Sequence, residues 1–491
     1  MLLFTHGYFL ADDPKEQEIM KPYPPLGILY LSAWLEQHGV PNAVYDTTFS
    51  TMDLLQRYLL TERPRVLALY VNLMTKRTVI SIMRFVRQQE TLKHTLIVLG
   101  GPDVTHNDAD YLSAGADLIV IGEGEQTMLD IARTETAWWE SMHHAPPYAK
   151  PPLPTFGAIP GIAYRLPDGT VHRTRAREKM RNLDELPLPA RQKIDLKQYL
   201  DVWKKRHGQS AVSISTQRGC PYTCRWCSTA VYGQSYRRRS PKAVVDEIEW
   251  LQAHYDFALI WFVDDVFTVS HKWLNEFGEE LDKRRIRIQF ECITRADRLT
   301  EDVVEVLRRC GCFRVWIGAE SGSQRVIDAM DRRVDVQQVR DMIRAARRAG
   351  IQTGTFIMLG YPGETEADIR ETVEHLKSSD HDLFTITVAY PIKGTGLYED
   401  VQATANSPFS WEERTDRDLD FRRTYPRRYY DYAVRWTVNA VYWHKVKQRG
   451  KWRSPRGWVF WGKMWAARLG MWRWRVRFLN LPHEQSLYRF P

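Results

Sequence analysis

Cysteines are scarce in this chain of 491 residues, which contains six of them. So low a content excludes a disulfide-built scaffold, and it is typical of a protein kept in a reducing compartment, so we expect a cytoplasmic location. No stretch approaches the roughly 20 consecutive apolar residues that a membrane span requires. The start of the chain, MLLFTHGY, lacks the basic segment of a secretory signal and is predicted to be a short strand.

Acidic side chains are nearly absent from the end of the chain. From Phe421 onward there are seventeen Lys and Arg residues against two Asp and Glu, whereas the whole chain has a net charge of +9. The remainder is therefore slightly acidic. This distribution argues against the broad basic surface of a nucleic-acid enzyme and indicates a single basic tail.

Three of the six cysteines stand together in the segment RGCPYTCRWC, at Cys220, Cys224 and Cys227. A [4Fe–4S] cluster normally takes four cysteine ligands, so three thiolates leave one iron open to a small molecule. The alternatives are a zinc site and buried thiols. Zinc would need a fourth Cys or a His at short spacing, and the next cysteine is Cys292, so we favour the cluster.

This segment, with its flanking Arg-Gly and the aromatic residue before its last Cys, resembles the cluster loop of the radical S-adenosylmethionine (SAM) superfamily. The resemblance implies that the open iron chelates the amino and carboxylate groups of SAM. It also implies an electron donor such as flavodoxin or ferredoxin.

Residues 1–140 alternate strand and helix patterns, as expected for a doubly wound parallel sheet. Two predicted strands end in glycine-rich turns, GGPD from Gly100 and GEGE from Gly122. Ligands bind at the carboxyl ends of such strands, where glycines let the backbone approach a phosphate or ribose. The alternative is that these glycines only form tight turns. The predicted strands are Leu2–Thr5, Ala43–Asp46, Val66–Val71, Thr95–Leu99 and Leu118–Ile121.

These turns, with the segment YPPLGILYL that starts at Tyr23, resemble the cobalamin-binding domain that precedes the radical SAM domain in one large subgroup. The subgroup includes methylases and the anaerobic magnesium-protoporphyrin ester cyclases. The resemblance implies cobalamin contacts at Gly100, Gly101, Gly122, Glu123 and Gly124.

The chain departs from many cobalamin domains because it lacks Asp-x-His-x-x-Gly, the motif whose His ligates cobalt. We therefore expect cobalamin to bind without that ligand and with its dimethylbenzimidazole tail buried. His6 and His106 are alternative neighbours of its lower face, although a lone His is more often a satisfied core or surface residue.

Residues 141–209 form a predicted connector that is rich in proline, including Pro146 and Pro147, and that contains a hairpin around Pro167-Asp168-Gly169. We expect this connector to hold the two cofactor domains in position.

Residues 210–405 again alternate strands with helices, among them a helix over Pro241–His254, and are predicted to form a partial (β/α)6 barrel. Chemistry collects at the carboxyl ends of barrel strands. The resemblance implies that Asp264 and Asp265, after the second strand, contact the SAM amino group; the alternative is an acid pair that caps the next helix. Arg295, after the third strand, is suited to clamp the SAM carboxylate, and the alternative is a surface arginine.

The fourth strand ends in the segment GAESG, a family signature. The resemblance implies that Glu320 and Ser321 face the ribose and methionine portion of SAM. It also places Gly360, at the end of the fifth strand, beside the adenine. The alternative for the nearby pair Glu364-Thr365 is that it caps the next helix. Lys393 replaces a proline common in relatives, so a substrate cannot be taken over from any one of them.

Cys292, Cys310 and Cys312 are candidate ligands of a second cluster, but buried apolar thiols are the favoured interpretation.

Residues 406–491 are predicted to be mainly helical, basic and rich in tryptophan, with eight tryptophans from Phe421 onward. We rank a lid over the barrel first, a membrane surface second and base stacking third.

The sequence thus predicts an α/β fold: an N-terminal doubly wound, Rossmann-like cobalamin-binding domain, a partial radical SAM barrel and a helical C-terminal region. The expected activity is cleavage of SAM at the cluster to a 5′-deoxyadenosyl radical, followed by methylation of an unactivated carbon of a small-molecule or lipid-like substrate. No nucleic-acid partner is expected. The alternatives are a cyclase or rearrangement enzyme without net methyl transfer, and a non-catalytic cofactor-binding module.

Overall fold

A computed structural model describes residues 1–141 and 149–479, so the predicted prolines Pro146 and Pro147 and the last twelve residues lie outside the described residues. The chain forms two compact units. The first comprises residues 1–221, 228–260 and 409–415, and the second comprises 222–227, 261–408 and the described residues from 416 onward.

The first unit contains a seven-stranded sheet in the order β2-β1-β3-β4-β5-β6-β7. Its strands are β1 (Leu2–Thr5), β2 (Asn42–Val44), β3 (Val66–Tyr70), β4 (Leu96–Gly100), β5 (Leu118–Val120), β6 (Ile162–Arg165) and β7 (Val171–Arg173). The helices around it are α1 (Pro14–Ile19), α2 (Leu26–Gln37), α3 (Met52–Glu62), α4 (Lys76–Gln88), α5 (Asp108–Ser113) and α6 (Glu125–Ser141). Strands β1 to β5 pair in parallel, which confirms the doubly wound sheet.

Continuous apolar runs form the central strands because both faces of the sheet are covered. Along β1, Leu2 and Phe4 pack into one apolar cluster with α2 and α6, whereas Leu3 packs into the other with α3, α4 and α5. The same alternation holds in β3 and β4. Each strand thus contributes to two cores, and this fixes its register.

The hairpin predicted in the connector belongs to this sheet. Its strand β6 pairs antiparallel with β5, and β7 pairs antiparallel with β6. Nothing in the local sequence indicated this pairing, because β6 follows β5 only after the long helix α6 and a proline-rich stretch.

The second sheet has the order β15-β14-β13-β12-β11-β8, and β12 to β15 pair in parallel, as a partial (β/α)6 barrel requires. The strands from β8 on are β8 (Ala211–Ile214), β9 (Gln217–Arg218), β10 (Arg237–Arg238), β11 (Leu259–Phe262), β12 (Phe290–Thr294), β13 (Cys312–Glu320), β14 (Gln352–Leu359) and β15 (Leu383–Val388). The helices from α7 on are α7 (Leu196–His207), α8 (Pro241–His254), α9 (His271–Lys283), α10 (Glu301–Arg309), α11 (Gln324–Ala329), α12 (Val336–Arg348), α13 (Glu366–Ser378), α14 (Gly396–Val401), α15 (Arg427–Gln448) and α16 (Pro455–Leu479).

The C-terminal region is mainly helical, as predicted, and it packs along the edge of the second sheet. Helix α15 contacts α13, β14 and β15, and α16 packs on α15. Lys445 Nζ donates to the His381 carbonyl oxygen at 2.7 Å, just before β15 begins. Among the described residues no helix combines the length and apolar character needed to cross a bilayer.

One short piece of this region packs in the first unit instead. The ring centroids of Trp411 and Tyr111 lie 4.7 Å apart. Lys76 Nζ lies 3.9 Å from the centroid of the Trp411 ring. Residues 409–415 therefore pack on the first unit, with Trp411 against its apolar core, which the sequence did not indicate.

A buried ion triad stabilises the first unit. Glu247 on α8 has its carboxylate 2.6 Å from Arg191 Nη2 and also pairs with Arg239, and all three side chains are almost fully buried. Although burial opposes ionisation, the two guanidinium groups hold the pKa of Glu247 below its usual range. Removal of the carboxylate would leave two buried positive charges without their counterion.

We expect Glu247→Ala to lower the free energy of unfolding by about 3–5 kcal/mol, because breaking a buried ion pair leaves uncompensated charge. Glu249→Ala, an exposed position on the same helix, is the matched control and should cost less than about 1 kcal/mol. Urea unfolding followed by circular dichroism measures both. Equal midpoints for the two variants would contradict the role of the triad.

Candidate cofactor sites

The cysteine segment begins at a glycine that no other residue can replace without strain. Gly219 has φ +80°, and a Cβ atom there would lie 2.3 Å from the carbonyl oxygen of Ser235. Cys220 follows and forms a backbone bridge with Gln234. The glycine thus allows the chain to turn into the loop while β9 pairs with β10.

Backbone hydrogen bonds hold the rest of the loop within the second unit. The Cys227 N–H donates to the Cys224 carbonyl oxygen at 3.1 Å. The Arg225 N–H donates to the Met330 carbonyl, and the Arg225 carbonyl accepts from the Leu397 N–H at 2.7 Å. Cys220 and Cys224 are half-buried, and Cys227 is exposed.

Two buried arginines contact the middle cysteine. Arg295 Nη1 and Arg332 Nη1 lie 3.5 Å and 3.6 Å from Cys224 Sγ. Their positive charges complement the negative charge of a cysteine sulfur that binds a metal. Arg295 is only 2% exposed, so its interpretation as a surface arginine is wrong.

Arg295 is held from several sides. It pairs with Asp297, donates to the Arg332 carbonyl oxygen at 2.6 Å, and its guanidinium lies 3.9 Å from the centroid of the Tyr222 ring. Tyr222 is itself part of the cysteine loop, between Cys220 and Cys224. Arg295 therefore positions the loop and places a positive charge beside the sulfur of Cys224.

These residues fit a [4Fe–4S] cluster by the chemistry of the donor set: three cysteines without disulfides in one loop, beside guanidinium groups. Within the described ranges, no three or more His, Cys, Asp or Glu side chains gather around a point where a single metal ion would bind. A cluster does not require such a point, because its cysteines ligate different irons.

The fourth barrel strand ends in a strained residue. Glu320 has φ +62°, in the left-handed region that non-glycine residues rarely adopt, and the pairing of β13 with β14 shifts register between Gly318 and Glu320. Removal from water raises the pKa of its carboxyl group, although Arg332 Nη2 lies 3.7 Å away. Strain of this kind clusters at functional sites.

Ser321 is buried, and its hydroxyl lies 3.2 Å from Thr372 Oγ1 on α13 while accepting from the Ser323 N–H. Its hydrogen bonds therefore shape the turn after β13. The structure gives Ser321 a positioning role whether or not it also contacts a ligand.

The acid pair after β11 does not cap a helix. Asp264 is buried, while Asp265 reaches solvent, and desolvation together with Asp264 raises the pKa of Asp265. The next helix, α9, is capped by Ser270, whose side chain accepts from the Trp273 N–H. The capping interpretation of Asp264 and Asp265 is therefore wrong.

Gly360, after β14, has φ +81° and donates its N–H to Glu364 Oε2 at 2.6 Å. The other carboxylate oxygen of Glu364 is buried without a hydrogen-bond partner. Burial raises the pKa of Glu364 to about 8. The predicted capping role falls to Thr365 alone, which forms a capping box with Asp368 at the start of α13.

Protein packing accounts for two of the four predicted cobalamin glycines. A Cβ on Gly101 would lie 2.3 Å from the Val71 carbonyl oxygen, and one on Gly124 would lie 3.0 Å from the Leu31 side chain. Gly122 has φ +87° and has only Val231 near, at 3.8 Å, and Gly100 ends β4 with only Val120 as close. Protein atoms are therefore in ordinary van der Waals contact with Gly122 and Gly100 and do not crowd them.

The two acids of the GEGE turn are paired with arginines that flank the cysteine loop. Arg218, two residues before Cys220, donates to Glu125 in a bidentate pair at 2.5 Å and 3.1 Å. Arg237 pairs with Glu123, which also accepts from the Met180 N–H at 3.1 Å. These pairs are not evident from the sequence, where the one available signal is an Arg beside the loop and two acids in a glycine-rich turn.

The structure agrees with the interpretation of His6 as a satisfied core residue and of the three cysteines outside the loop as buried thiols. His6 is buried, with Nε2 2.9 Å from Asp46 Oδ1, and His106 lies in a short 3-10 turn after β4. Cys292, Cys310 and Cys312 are buried, and burial raises the pKa of the Cys310 thiol to about 12. A thiol that stays protonated is a poor iron ligand.

Comparison with known families agrees with both halves of this description. Residues 214–376 match the radical SAM superfamily, and residues 18–132 match the B12 binding domain. Together the two matches cover more than half of the chain. The chain belongs to the radical SAM superfamily, in the group with a B12-binding domain. Both the predicted family and the predicted cofactor domains are confirmed.

The relatives of this radical SAM protein differ in activity, and a methyltransferase and a cyclase are among them. An uncharacterized methyltransferase of Pyrococcus horikoshii is 27% identical over 80% of this chain and 82% of its own length. The anaerobic magnesium-protoporphyrin IX monomethyl ester cyclase of Rubrivivax gelatinosus is 26% identical over 82% of this chain and 70% of its own. The cobalamin-dependent radical enzyme OxsB with aqua-cobalamin bound has a similar fold, with a TM-score of 0.70 at 17% identity, covering 99% of this chain and 74% of that chain.

We expect Glu125→Gln to destabilise the protein and to reduce the iron retained per chain, because Arg218 loses its buried counterion beside the cysteine loop. The exposed Glu140→Gln on the same helix is the control. Iron is measured after anaerobic reconstitution and gel filtration, and stability by urea unfolding. If both variants keep the same iron and the same midpoint, the pair does not support the loop.

The buried carboxyl of Glu364 should make stability fall as the pH rises from about 4.5 to about 8. Its folded pKa of about 8 lies above the ordinary value of 4.5, so its contribution is full below 4.5 and is lost as the pH rises through 8. Glu364→Gln keeps the acceptor for Gly360 but cannot ionise. Between pH 6 and 8 the wild type should lose roughly 2 kcal/mol relative to this variant, measured by urea unfolding. Parallel pH profiles would contradict the raised pKa.

Proposed function

We propose that this protein is a cobalamin-dependent radical SAM methyltransferase that methylates an unactivated carbon of a small, largely apolar substrate. The observation that carries the proposal is the three-cysteine loop with Arg295 and Arg332 beside Cys224. When bound, a reduced cluster supplies the electron that cleaves SAM to methionine and a 5′-deoxyadenosyl radical, and cobalamin supplies a methyl group for transfer to carbon.

We assign the side chains of the radical SAM domain as follows. Cys220, Cys224 and Cys227 hold the cluster, and Asp264 and Asp265 receive the SAM amino group. Glu320 hydrogen-bonds the ribose from its strained position. Gly360 turns the chain beside the adenine, where the side chains of Val388, Arg423 and Tyr430 already crowd the position of a Cβ. Arg295 supports the loop and faces the SAM carboxylate, while Ser321 positions the turn.

In the first unit, Gly100 and Gly122 offer the backbone approach to cobalamin. Gly101 and Gly124 keep the surrounding turns closely packed. We assign Glu123 a positioning role, because its carboxylate is already paired with Arg237. No histidine is assigned as a cobalt ligand.

The proposal of an apolar substrate is supported by the apolar side chains on one face of the second sheet. Trp316 and Phe356 stack there with ring centroids 5.1 Å apart and an angle of 18°. Gly354 makes this possible, since a Cβ would lie 2.3 Å from the Trp316 ring. Leu383 is in register with Gly354, faces the same side and is 41% exposed.

On β13 and β14 the opposite face is largely buried, whereas this face leaves the Trp316 and Phe356 rings partly exposed. Trp316 is fixed in place because its Nε1–H donates to Glu291 Oε2 at 3.2 Å, and Glu291 also pairs with Arg314. A rigid, accessible aromatic surface suits a flat or lipid-like substrate, since apolar contacts release ordered water and stacking adds to them.

A second candidate is cyclisation or rearrangement without methyl transfer, and the cyclase relative favours it. The products separate the two. A methylase forms S-adenosylhomocysteine, as the cobalt is re-methylated, alongside 5′-deoxyadenosine, whereas the cyclase forms only 5′-deoxyadenosine.

The test begins with anaerobic purification in the presence of cobalamin, followed by iron, sulfide and cobalt analysis. Incubation with SAM, a reductant and candidate apolar substrates, with both nucleoside products quantified by mass spectrometry, then distinguishes the outcomes. Four irons and one cobalt with both nucleosides would support the methylase. Cofactors without any 5′-deoxyadenosine would identify a non-catalytic module.

We expect Cys224→Ala to lose the cluster iron and to abolish 5′-deoxyadenosine formation, because two thiolates cannot hold the cluster in place. Cys312→Ala, a buried cysteine outside the loop, is the control and should keep its iron. Equal iron content in the two variants would rule out the loop as the cluster site.

A further inference from the structure

Helix α16 carries a row of five large apolar side chains that are 41–64% exposed: Trp458, Trp461, Trp465, Leu469 and Trp472. They follow one another at intervals of three or four residues. At 3.6 residues per turn they lie within an arc of about 80° and extend about 21 Å along the helix axis. We call this set the tryptophan row.

The opposite side of the helix makes the contacts with the protein. Ala467 and Met471 are buried, and Gly470 lies so close to Tyr432 on α15 that a Cβ would be 2.3 Å from its ring. The side of α16 that carries these residues therefore makes its packing contacts with the protein. The tryptophan row is not needed for packing of the described chain, so its exposure calls for a separate explanation.

Positive charge flanks the row, and α16 contains six Lys and Arg residues with no Asp or Glu. On one side Arg468 and Arg475 are tied to Glu366 on α13, at 2.8 Å and 3.1 Å. On the other side Arg473 and Arg477 are exposed. An apolar stripe rich in tryptophan between basic margins is typical of a helix that lies in a bilayer interface.

The charge pattern selects among the possible occupants of this surface. A second copy of the chain would bring two basic helices together without acidic partners. A single-stranded nucleic acid would stack its bases on aromatic rings inside a positively charged groove, whereas the row lies on the exposed, convex side of a single helix. Anionic lipid headgroups complement the margins, and the boundary of the acyl chains accommodates the indole rings.

We propose that α16 is a peripheral membrane-binding helix, which inserts the tryptophan row into the interface of a bilayer that contains anionic phospholipids. The helix lies in the plane of the membrane and does not cross it. This inference is independent of the reaction that the protein catalyses.

The test is co-sedimentation of the full-length protein with vesicles of phosphatidylcholine containing about one-third phosphatidylglycerol, compared with phosphatidylcholine alone. We expect at least tenfold stronger partitioning into the anionic vesicles, weakened by added salt because the electrostatic part is screened. The combined variant Trp461→Ser, Trp465→Ser, Trp472→Ser should partition at least tenfold less.

The matched control is Leu54→Ser with Leu60→Ser, two exposed apolar residues on α3 that are 49% and 37% exposed. This control should partition like the wild type. Circular dichroism and thermal unfolding should match the wild type in both sets, because every substituted side chain is exposed. Brominated lipids should quench tryptophan fluorescence of the wild type and of the control, and much less that of the triple variant.

Three results would overturn the proposal. The first is wild-type protein that stays in the supernatant with anionic vesicles. The second is a triple variant that sediments as the wild type does. The third is an oligomer or a nucleic-acid complex that the triple variant abolishes while vesicle binding is absent, which would assign the tryptophan row to another partner.

Discussion

The first unit depends on charges that have been taken out of water together. Arg218, Arg237, Glu123 and Glu125 are all largely buried, and each would cost several kcal/mol if its partner were missing. Their pairing ties the GEGE turn after β5 to strands β9 and β10, which frame the start of the cysteine loop. The position of Cys220 is thus set by electrostatics within the unit, not by the loop sequence alone.

Local patterns predicted the elements of this fold well. The runs at β1, β3 and β4 are apolar on both faces, so their boundaries were right to within a residue or two. Helix α8 begins after Ser240, which caps it, and follows the predicted Pro241–His254 because Pro at the first helical position and a cap are strong local signals. The cysteine spacing predicted the family because it too is a local signal, contained in ten consecutive residues.

Long-range pairing escaped prediction because it leaves no periodic trace. Glu125 and Arg218 are 93 residues apart, and each looks like an ordinary surface charge in its own segment. Trp411 belongs by sequence to the C-terminal region yet packs against Tyr111. Glycines raised a related problem. Gly101 and Gly122 stand in similar turns, but a close backbone approach requires Gly101, whereas a Cβ on Gly122 would make only an ordinary van der Waals contact.

The second unit exposes apolar surface in two places, and each place has a different physical character. The Trp316 and Phe356 rings lie on a sheet face, stacked and held by a hydrogen bond to Glu291, which suits recognition of one shape. The side chains of the tryptophan row are spaced along α16 and flanked by arginines, which suits a fluid surface without defined shape.

An apolar substrate is concentrated in a bilayer and scarce in water, because transfer of apolar area to water is unfavourable. A protein held at the membrane by one surface would therefore meet a lipid-like substrate for the other at far higher local concentration than it would in solution.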